Sequence, residues 1–216
     1  MKGARIWCAQ HLFSIAVFIT LYSLFPVHAA NNYVPISLPH GVQVEIPRNW
    51  EVLSKNQRIT LDSTVQSNNE RAGIFDASSD LNFGANYFDE AGKTAAIVNI
   101  RFYPESEISQ ADIRNAGPSD IRGIDSLMRE SMVKTGQATG FSVLAWSGTI
   151  KQVINGTTVL VSEYRRSPIK NGGNFKVRLV RIFNNGKSFT LTVSYREDQE
   201  LWLRPICDRI ISSLRT

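Results

Sequence analysis

Residues 188–195 read Ser-Phe-Thr-Leu-Thr-Val-Ser-Tyr, and this stretch decides the fold. Its apolar residues alternate strictly with serine and threonine, which is typical of a β-strand with one side in a hydrophobic core. The apolar positions are Phe189, Leu191, Val193 and Tyr195. Because the opposite side carries only hydroxyl groups, we expect it to be wet or lightly covered, as antiparallel sheets allow.

Three turn signals precede this strand and divide residues 141–195 into four strands. They are Asn155-Gly156, the looser Asn171-Gly172-Gly173-Asn174, and Asn184-Asn185-Gly186. Such Asn-Gly pairs favour tight connections between antiparallel neighbours. The sequence therefore predicts a four-strand meander that begins near Phe141 and contains strands up to Arg166, from Phe175 to Phe183, and to Tyr195.

A helix is predicted to follow the meander, because apolar residues recur there at helical spacing. They are Leu203, Ile206, Cys207, Ile210, Ile211 and Leu214. Pro205 leaves two alternatives open: it lies in the first turn of the helix, or it marks a break after Trp202. In either case the apolar stripe would pack across the sheet, with Cys207 as a buried, inert thiol.

The chain before the meander contains two hairpins and a helical region. Residues 33–47 predict a short hairpin that turns at His40-Gly41, followed by Trp50 in the core. The stretch 55–70 is ambiguous, since it fits a helix or a strand equally well. A second hairpin is predicted at 81–103, then helices at 109–115 and 119–135, with Gly136 as the stop. The longer helix carries one apolar stripe: Ile121, Ile124, Leu127, Met128 and Met132.

The first 29 residues have the layout of a secretory signal peptide. Lys2 and Arg5 precede an apolar run at 15–25 that is too short to span a bilayer, and small residues lead to a cut after about Ala29. The sequence thus predicts residues 1–29 as a signal peptide and 30–216 as a single domain, exported to the bacterial periplasm. We expect no integral membrane segment in the mature chain.

Composition and residue inventory argue against several classes of function. The net charge is +5, and removal of Lys2 and Arg5 leaves +3, which is too low for a nucleic-acid-binding surface. His40 is the mature chain's single histidine, so a Ser–His–Asp site would have to use it. One histidine and one cysteine, far apart in sequence, cannot supply the ligands of a zinc site. Acids at 76, 80, 89 and 90 do not match a calcium-loop spacing and are interpreted as solvated. We predict no cofactor and no metal.

Basic residues on neighbouring strands form the candidate binding site. Lys176 and Arg178 share one strand face, and the hypothesis is that they converge with Arg165, Arg166 and Tyr164 into a patch that attracts anionic groups. The alternative interpretation of these residues is an ordinary solvated edge of the sheet. No catalytic or metal-ligating residue is predicted.

The order of elements resembles the PsbP-like α/β/α sandwich, a superfamily that includes the DcrB-like periplasmic proteins. The residues behind the resemblance are 36–50 (Ile-Ser-Leu-Pro-His-Gly-Val-Gln-Val-Glu-Ile-Pro-Arg-Asn-Trp), the Asn185-Gly186-Lys187 turn, the strand Phe189–Tyr195 and the stripe Ile206–Leu214. The resemblance implies an α+β fold with an antiparallel sheet between helices. It also implies a non-enzymatic accessory or binding protein, with no catalytic residues to carry over.

The sequence therefore leads to three hypotheses about function. The first is a non-catalytic accessory protein of the cell envelope that acts through protein–protein contacts with an envelope protein. The second is a periplasmic module that binds a small or anionic ligand. The third is a hydrolase of unfamiliar type, which would require a closed pocket that contains His40.

Overall fold

The strand predicted from residues 188–195 is the central strand of a seven-stranded antiparallel sheet. The computed structural model describes residues 32–71, 79–169, 172–184 and 186–216, so the predicted signal peptide lies outside the described residues. The strand order is β3-β4-β5-β9-β8-β7-β6. The strands are β3 (Glu51–Val52), β4 (Asp80–Phe88), β5 (Thr94–Tyr103), β6 (Val143–Ile154), β7 (Thr157–Arg166), β8 (Phe175–Asn184) and β9 (Lys187–Arg196).

Helices flank this sheet, and a separate two-stranded hairpin packs with one of them. The hairpin consists of β1 (Tyr33–Ser37) and β2 (Gln43–Pro47). The helices are α1 (Lys55–Arg71), α2 (Gln110–Asn115), α3 (Pro118–Thr139) and α4 (Glu200–Ser212). Helix α4 lies against β9 and β2, whereas α2 and α3 contact β6, β7 and β8, and α1 contacts β4. The α+β fold with an antiparallel sheet between helices is confirmed.

Strand alternation divides the core between the two faces of the sheet. On the α4 face, Val98 and Ile100 of β5 pack with Leu191 of β9 and Leu203 of α4. On the other face, Met128 of α3 packs with a smaller cluster on β7 and β8. The larger core therefore lies under α4, and this helix fixes one side of the candidate site described below.

The structure resolves the ambiguous stretch 55–70 and corrects three expectations about the helices. Residues 55–71 form a helix, whereas Pro205 fits neither alternative: it is the sixth residue of α4, beyond the first turn, and the helix continues through it. Helix α3 does not stop at Gly136: it continues to Thr139 and ends at Gly140, whose positive φ of 86° suits glycine. Leu127 is 69% exposed, so it does not belong to the buried stripe of α3.

Cys207 is expected to resist thiol reagents in the folded protein. Its side chain is buried in α4, and burial raises the pKa of the thiol to about 12, which leaves almost no thiolate at pH 8. We expect Ellman's reagent to detect no thiol in native mature protein at pH 8 and one per chain in 6 M guanidinium. Rapid labelling of the native protein would show that α4 opens locally.

Candidate functional site

The five residues of the predicted site lie on two opposite faces of the sheet. Tyr164 packs with Met128 of α3, so Tyr164 and its strand neighbour two positions on, Arg166, face α3. Arg165, Lys176 and Arg178 face α4, where each contacts an acid of α4 or of the turn before it. The single patch expected from the sequence is therefore wrong for Tyr164 and Arg166, because alternation along β7 turns them away from Arg165.

Tyr164 and Arg166 are held in an aromatic layer beneath α3. The Tyr164 ring stacks on Trp146 with 5.7 Å between ring centroids, and burial raises the pKa of its hydroxyl to about 12. The Arg166 guanidinium lies over Phe175 at 4.6 Å and over Phe141 at 5.5 Å. Burial lowers the pKa of Arg166, although its charge remains. These contacts position the two residues as packing elements of this face.

Arg165 and Lys176 attach the chain before α4, and α4 itself, to the sheet. Arg165 donates two hydrogen bonds to the carboxylate of Glu197, one of them from Nη2 at 3.0 Å. Lys176 Nζ donates to Glu200 Oε1 at 2.7 Å. Hydrogen bonds from these cations lower the pKa of both carboxyl groups. Both cations are therefore paired within the chain.

Arg178 lies between two carboxylates that come from different elements. Its Nε donates to Glu163 Oε2 of β7 at 3.1 Å, and its Nη1 donates to Asp208 Oδ1 of α4. Burial lowers the pKa of Arg178, but the attraction of Asp208 and then of Glu163 outweighs it, so the net direction is upward. The Arg178 side chain is only 20% exposed, whereas that of Glu163 is 40% and that of Asp208 46% exposed. Solvent thus meets mainly the carboxylates.

These three charged residues line an open groove between the β6–β7 hairpin and α4. The groove has a volume of about 560 Å³, within the range of sites that hold small ligands or side chains. Polar and apolar groups contribute about equally to its walls. The apolar lining residues are Ile150, Val153, Ile154, Val161 and Ile211. Gln152, Asn155 and Ser212 add uncharged polar groups to the lining. We define this feature as the β6 groove.

The outer border of the β6 groove is an edge strand of the sheet. Among the described residues, β6 pairs with β7 alone, and large apolar side chains on it remain in solvent. Leu144 is 47% exposed, Ile150 59% and Val153 64%. Exposed apolar edge strands are normally protected, because their free backbone groups can pair with another chain. The groove is thus open, and it lies beside a strand edge with exposed apolar side chains.

Sequence reasoning identified Arg178 but missed Glu163, Asp208 and β6. Strand alternation places Glu163 on the same side as Arg165, so this acid could have been found from the sequence. Asp208 could not have been found from the sequence, because its contact with Arg178 depends on how α4 is rotated about its axis over the sheet. The sequence did not indicate that Ile150 is exposed, because an apolar residue in a strand normally predicts a position in the core.

His40 lies in an exposed turn outside the β6 groove. Its ring stacks on Phe102 with 4.4 Å between centroids, and Nδ1 is 3.4 Å from Lys187 Nζ. Within the residues that the structure describes, no group of three or more His, Cys, Asp and Glu side chains is arranged to hold a metal ion. Across the same ranges, every helix is too short or too polar to span a bilayer.

The fold is similar to that of a solved cyanobacterial PsbP structure. No protein family model matches the sequence, and no curated protein matches it. The solution structure of cyanobacterial PsbP (CyanoP) from Synechocystis sp. PCC 6803 is 14% identical with a TM-score of 0.53, over 86% of this chain and 92% of that one. The likeness confirms the PsbP-like fold that the order of elements predicted.

Two further solved structures are similar at lower TM-scores. LpqN, involved in cell envelope biogenesis of Mycobacterium tuberculosis, is 14% identical with a TM-score of 0.44, over 84% of this chain and 88% of that one. PA94 from Pseudomonas aeruginosa, a protein of unknown function, is 14% identical with a TM-score of 0.40, over 86% of this chain and 97% of that one.

Proposed function

We propose that this chain is an exported, non-catalytic accessory protein of the cell envelope that binds another polypeptide at the β6 groove. Residues 1–29 would direct export to the periplasm and be removed after about Ala29, leaving 30–216 as a single domain. The observation that carries the proposal is that β6, among the described residues, pairs on one side only, with Ile150 59% and Val153 64% exposed beside the groove. Such exposed apolar surface is typical of protein interaction sites.

The charges of the groove favour a polypeptide over a free anion. Among the described residues, Arg178 is the one cation that lines the groove, and it already binds Glu163 and Asp208. An anion would have to displace a carboxylate or approach both of them, at a cost in electrostatic free energy. Arg178 is thus assigned to shaping the groove, while Arg165 and Lys176 brace α4, and Tyr164 and Arg166 brace the opposite face.

Hydrolase chemistry has little support in the geometry of the site. A general base must lie within hydrogen-bond reach of the group that it activates. His40 is exposed, stacks on Phe102, and does not line the β6 groove. The carboxylates that do line the groove are engaged by Arg178. Non-catalytic binding is therefore the function that these residues support best.

Site-directed photocrosslinking in the native host tests the proposal. A benzophenone amino acid is placed at Ile150 in the β6 groove or, as a control, at Ile59 of α1, which is 53% exposed. The two positions are similarly exposed, and α1 packs at the opposite edge of the sheet, on β4. We expect a discrete adduct from position 150 and none from position 59, detected by immunoblot of irradiated cells. Equal labelling at both sites, or none at 150, would contradict the proposal.

A further inference from the structure

We propose that the partner binds by adding a β-strand to β6, and that this strand carries a lysine or arginine directed at Glu163. The inference rests on the proposed function, and it specifies both the binding mode and the chemistry of the partner. In such strand addition, backbone hydrogen bonds supply affinity while alternate side chains supply specificity. Three features of β6 and its neighbours support this mode.

The first feature is which residues of β6 direct their backbone N–H and C=O groups toward the free edge. The turn that closes the β6–β7 hairpin has positive φ at both Asn155 (46°) and Gly156 (83°), as a two-residue type I′ turn requires. Such a turn is closed by a hydrogen bond between the flanking residues, Ile154 and Thr157. Bonded and non-bonded pairs then alternate along the hairpin. Lys151 and Val153 therefore direct their N–H and C=O groups outward, to the free edge.

The second feature is that the regular half of β6 lacks an outward charge. From Thr149 to Ile154 the register with β7 is unbroken, and Lys151 is its one charged residue. Lysine on an edge strand usually blocks pairing with another chain. Here Lys151 Nζ instead donates to the backbone oxygens of Arg114 at 2.9 Å and Ala116 at 2.8 Å. Its charge is turned toward the α2–α3 connection, so the edge stays open.

The third feature is the position of Glu163, which lies one strand in from the free edge, in line with Gly148 of β6. Gly148 of β6 pairs with Glu163, which pairs with Arg178. Gly148 lies at a β-bulge with a φ of 105°, and a Cβ there would point toward Asp125 of α3, 3.9 Å away, so this position places no side chain over Glu163. A partner strand would lie two strand spacings, about 10 Å, from β7. A lysine or arginine is long enough to meet Glu163 once its carboxylate turns from Arg178 toward the edge, which leaves Arg178 paired with Asp208.

The charge of the β6 groove decides which type of residue the partner strand would place next to Glu163. The lining of the β6 groove contains two carboxylates and one guanidinium, and the carboxylates are about twice as exposed. Arg204 approaches Asp208 from outside the groove, at 3.9 Å, so Glu163 is the acid left for a partner. A basic side chain would complement it, whereas an acidic one would be repelled. The partner is thus an extended segment with a basic residue facing the groove.

Proline at an outward amide separates strand addition from ordinary surface docking. Val153→Pro removes an N–H that β7 does not use, whereas Val153→Ser removes the same apolar side chain but keeps the N–H. With the photocrosslinker at Ile150, we expect V153S to lower the adduct yield, because an apolar contact is lost, and V153P to abolish the adduct. Both purified variants should unfold within a few degrees of the parent. If V153P unfolds early, K151P tests the other outward amide in the same way.

Each outcome of this experiment is decisive. An adduct of equal yield in V153P and V153S would overturn strand addition while the proposed function stands. Failure of the parent protein to form any adduct would instead overturn the proposed function. An adduct of twice the chain mass would show β6 pairing with a second copy, which also overturns a foreign partner.

The basic residue is tested by neutralising its predicted counterpart. Glu163→Gln keeps the shape of the side chain and removes its charge, and Glu70→Gln is the matched control on the exposed face of α1. We expect the adduct yield to fall several-fold in E163Q and to stay unchanged in E70Q, because hydrogen bonds between ionised groups are stronger than neutral ones. Equal yields in the two variants would overturn the assignment of a basic residue.

Discussion

Replacing Leu203 by alanine should lower the free energy of unfolding by about 2–5 kcal/mol, the range for large-to-small changes in protein cores. Leu203 is fully buried where α4 meets the central strands, in the same cluster as Val98 and Leu191. Truncation leaves a cavity that close-packed neighbours can fill only in part. Equilibrium denaturation with urea measures the effect. If the parent and Leu203→Ala both unfold in two states, the dependence of the unfolding free energy on urea concentration should be the same for both.

Leu201→Ala is the matched control, because it makes the same chemical change two residues earlier in the same helix. Leu201 is 97% exposed, so its truncation should change the unfolding free energy by no more than about 0.5 kcal/mol. Equal losses in the two variants would mean that α4 does not pack on the sheet as described. The comparison also bears on function, since α4 forms one wall of the β6 groove.

The sheet was predictable from the sequence because its strands alternate and its turns are local. The alternation at Phe189–Tyr195 depends on neighbouring residues alone, and the Asn155-Gly156 turn specifies its own backbone conformation. The same local rule separates Arg165 from Tyr164 and Arg166. The expectation of one patch failed because it grouped residues by proximity along the chain rather than by strand face.

Helix α1 was ambiguous because tertiary contacts, rather than an apolar stripe, attach it to the sheet. Asp62 accepts hydrogen bonds from Arg101 Nη1 at 2.7 Å and from the backbone N of Leu81 at 2.9 Å. Ile59 is 53% exposed, so the few apolar residues of α1 do not mark a buried face. A helix that docks through polar contacts gives no clear periodic signal.

The candidate site was only partly predictable, for a related reason. Arg178 could be placed on a strand face from the sequence, but its partner Asp208 comes from a helix 30 residues later. Their contact depends on the rotation of α4, which the buried stripe of that helix sets only once it meets the sheet. The free edge of β6 is likewise a property of the strand order, in which the first strand of the meander ends up outermost.

Replacing Gly136 by alanine should destabilise the protein by about 1–3 kcal/mol, although alanine is the better helix former. Helix α3 continues through Gly136, and the chain then folds back so that Phe141 N donates to Gly136 O at 3.0 Å. A Cβ at Gly136 would lie 2.6 Å from the backbone oxygen of Phe141 and 3.0 Å from its ring. Because the nearest atom belongs to the backbone, a side-chain rotation cannot relieve the clash.

Gly123→Ala provides the control for this prediction, since it lies in the same helix with no atom within 4 Å of the added Cβ. There alanine should stabilise the protein by up to about 1 kcal/mol, through helix propensity and a less flexible unfolded chain. Thermal and urea unfolding of both variants should thus give effects of opposite sign. Stabilisation by both would show that Phe141 moves away at little cost. The absence of a side chain at Gly136 would then be unnecessary for the return of the chain into β6.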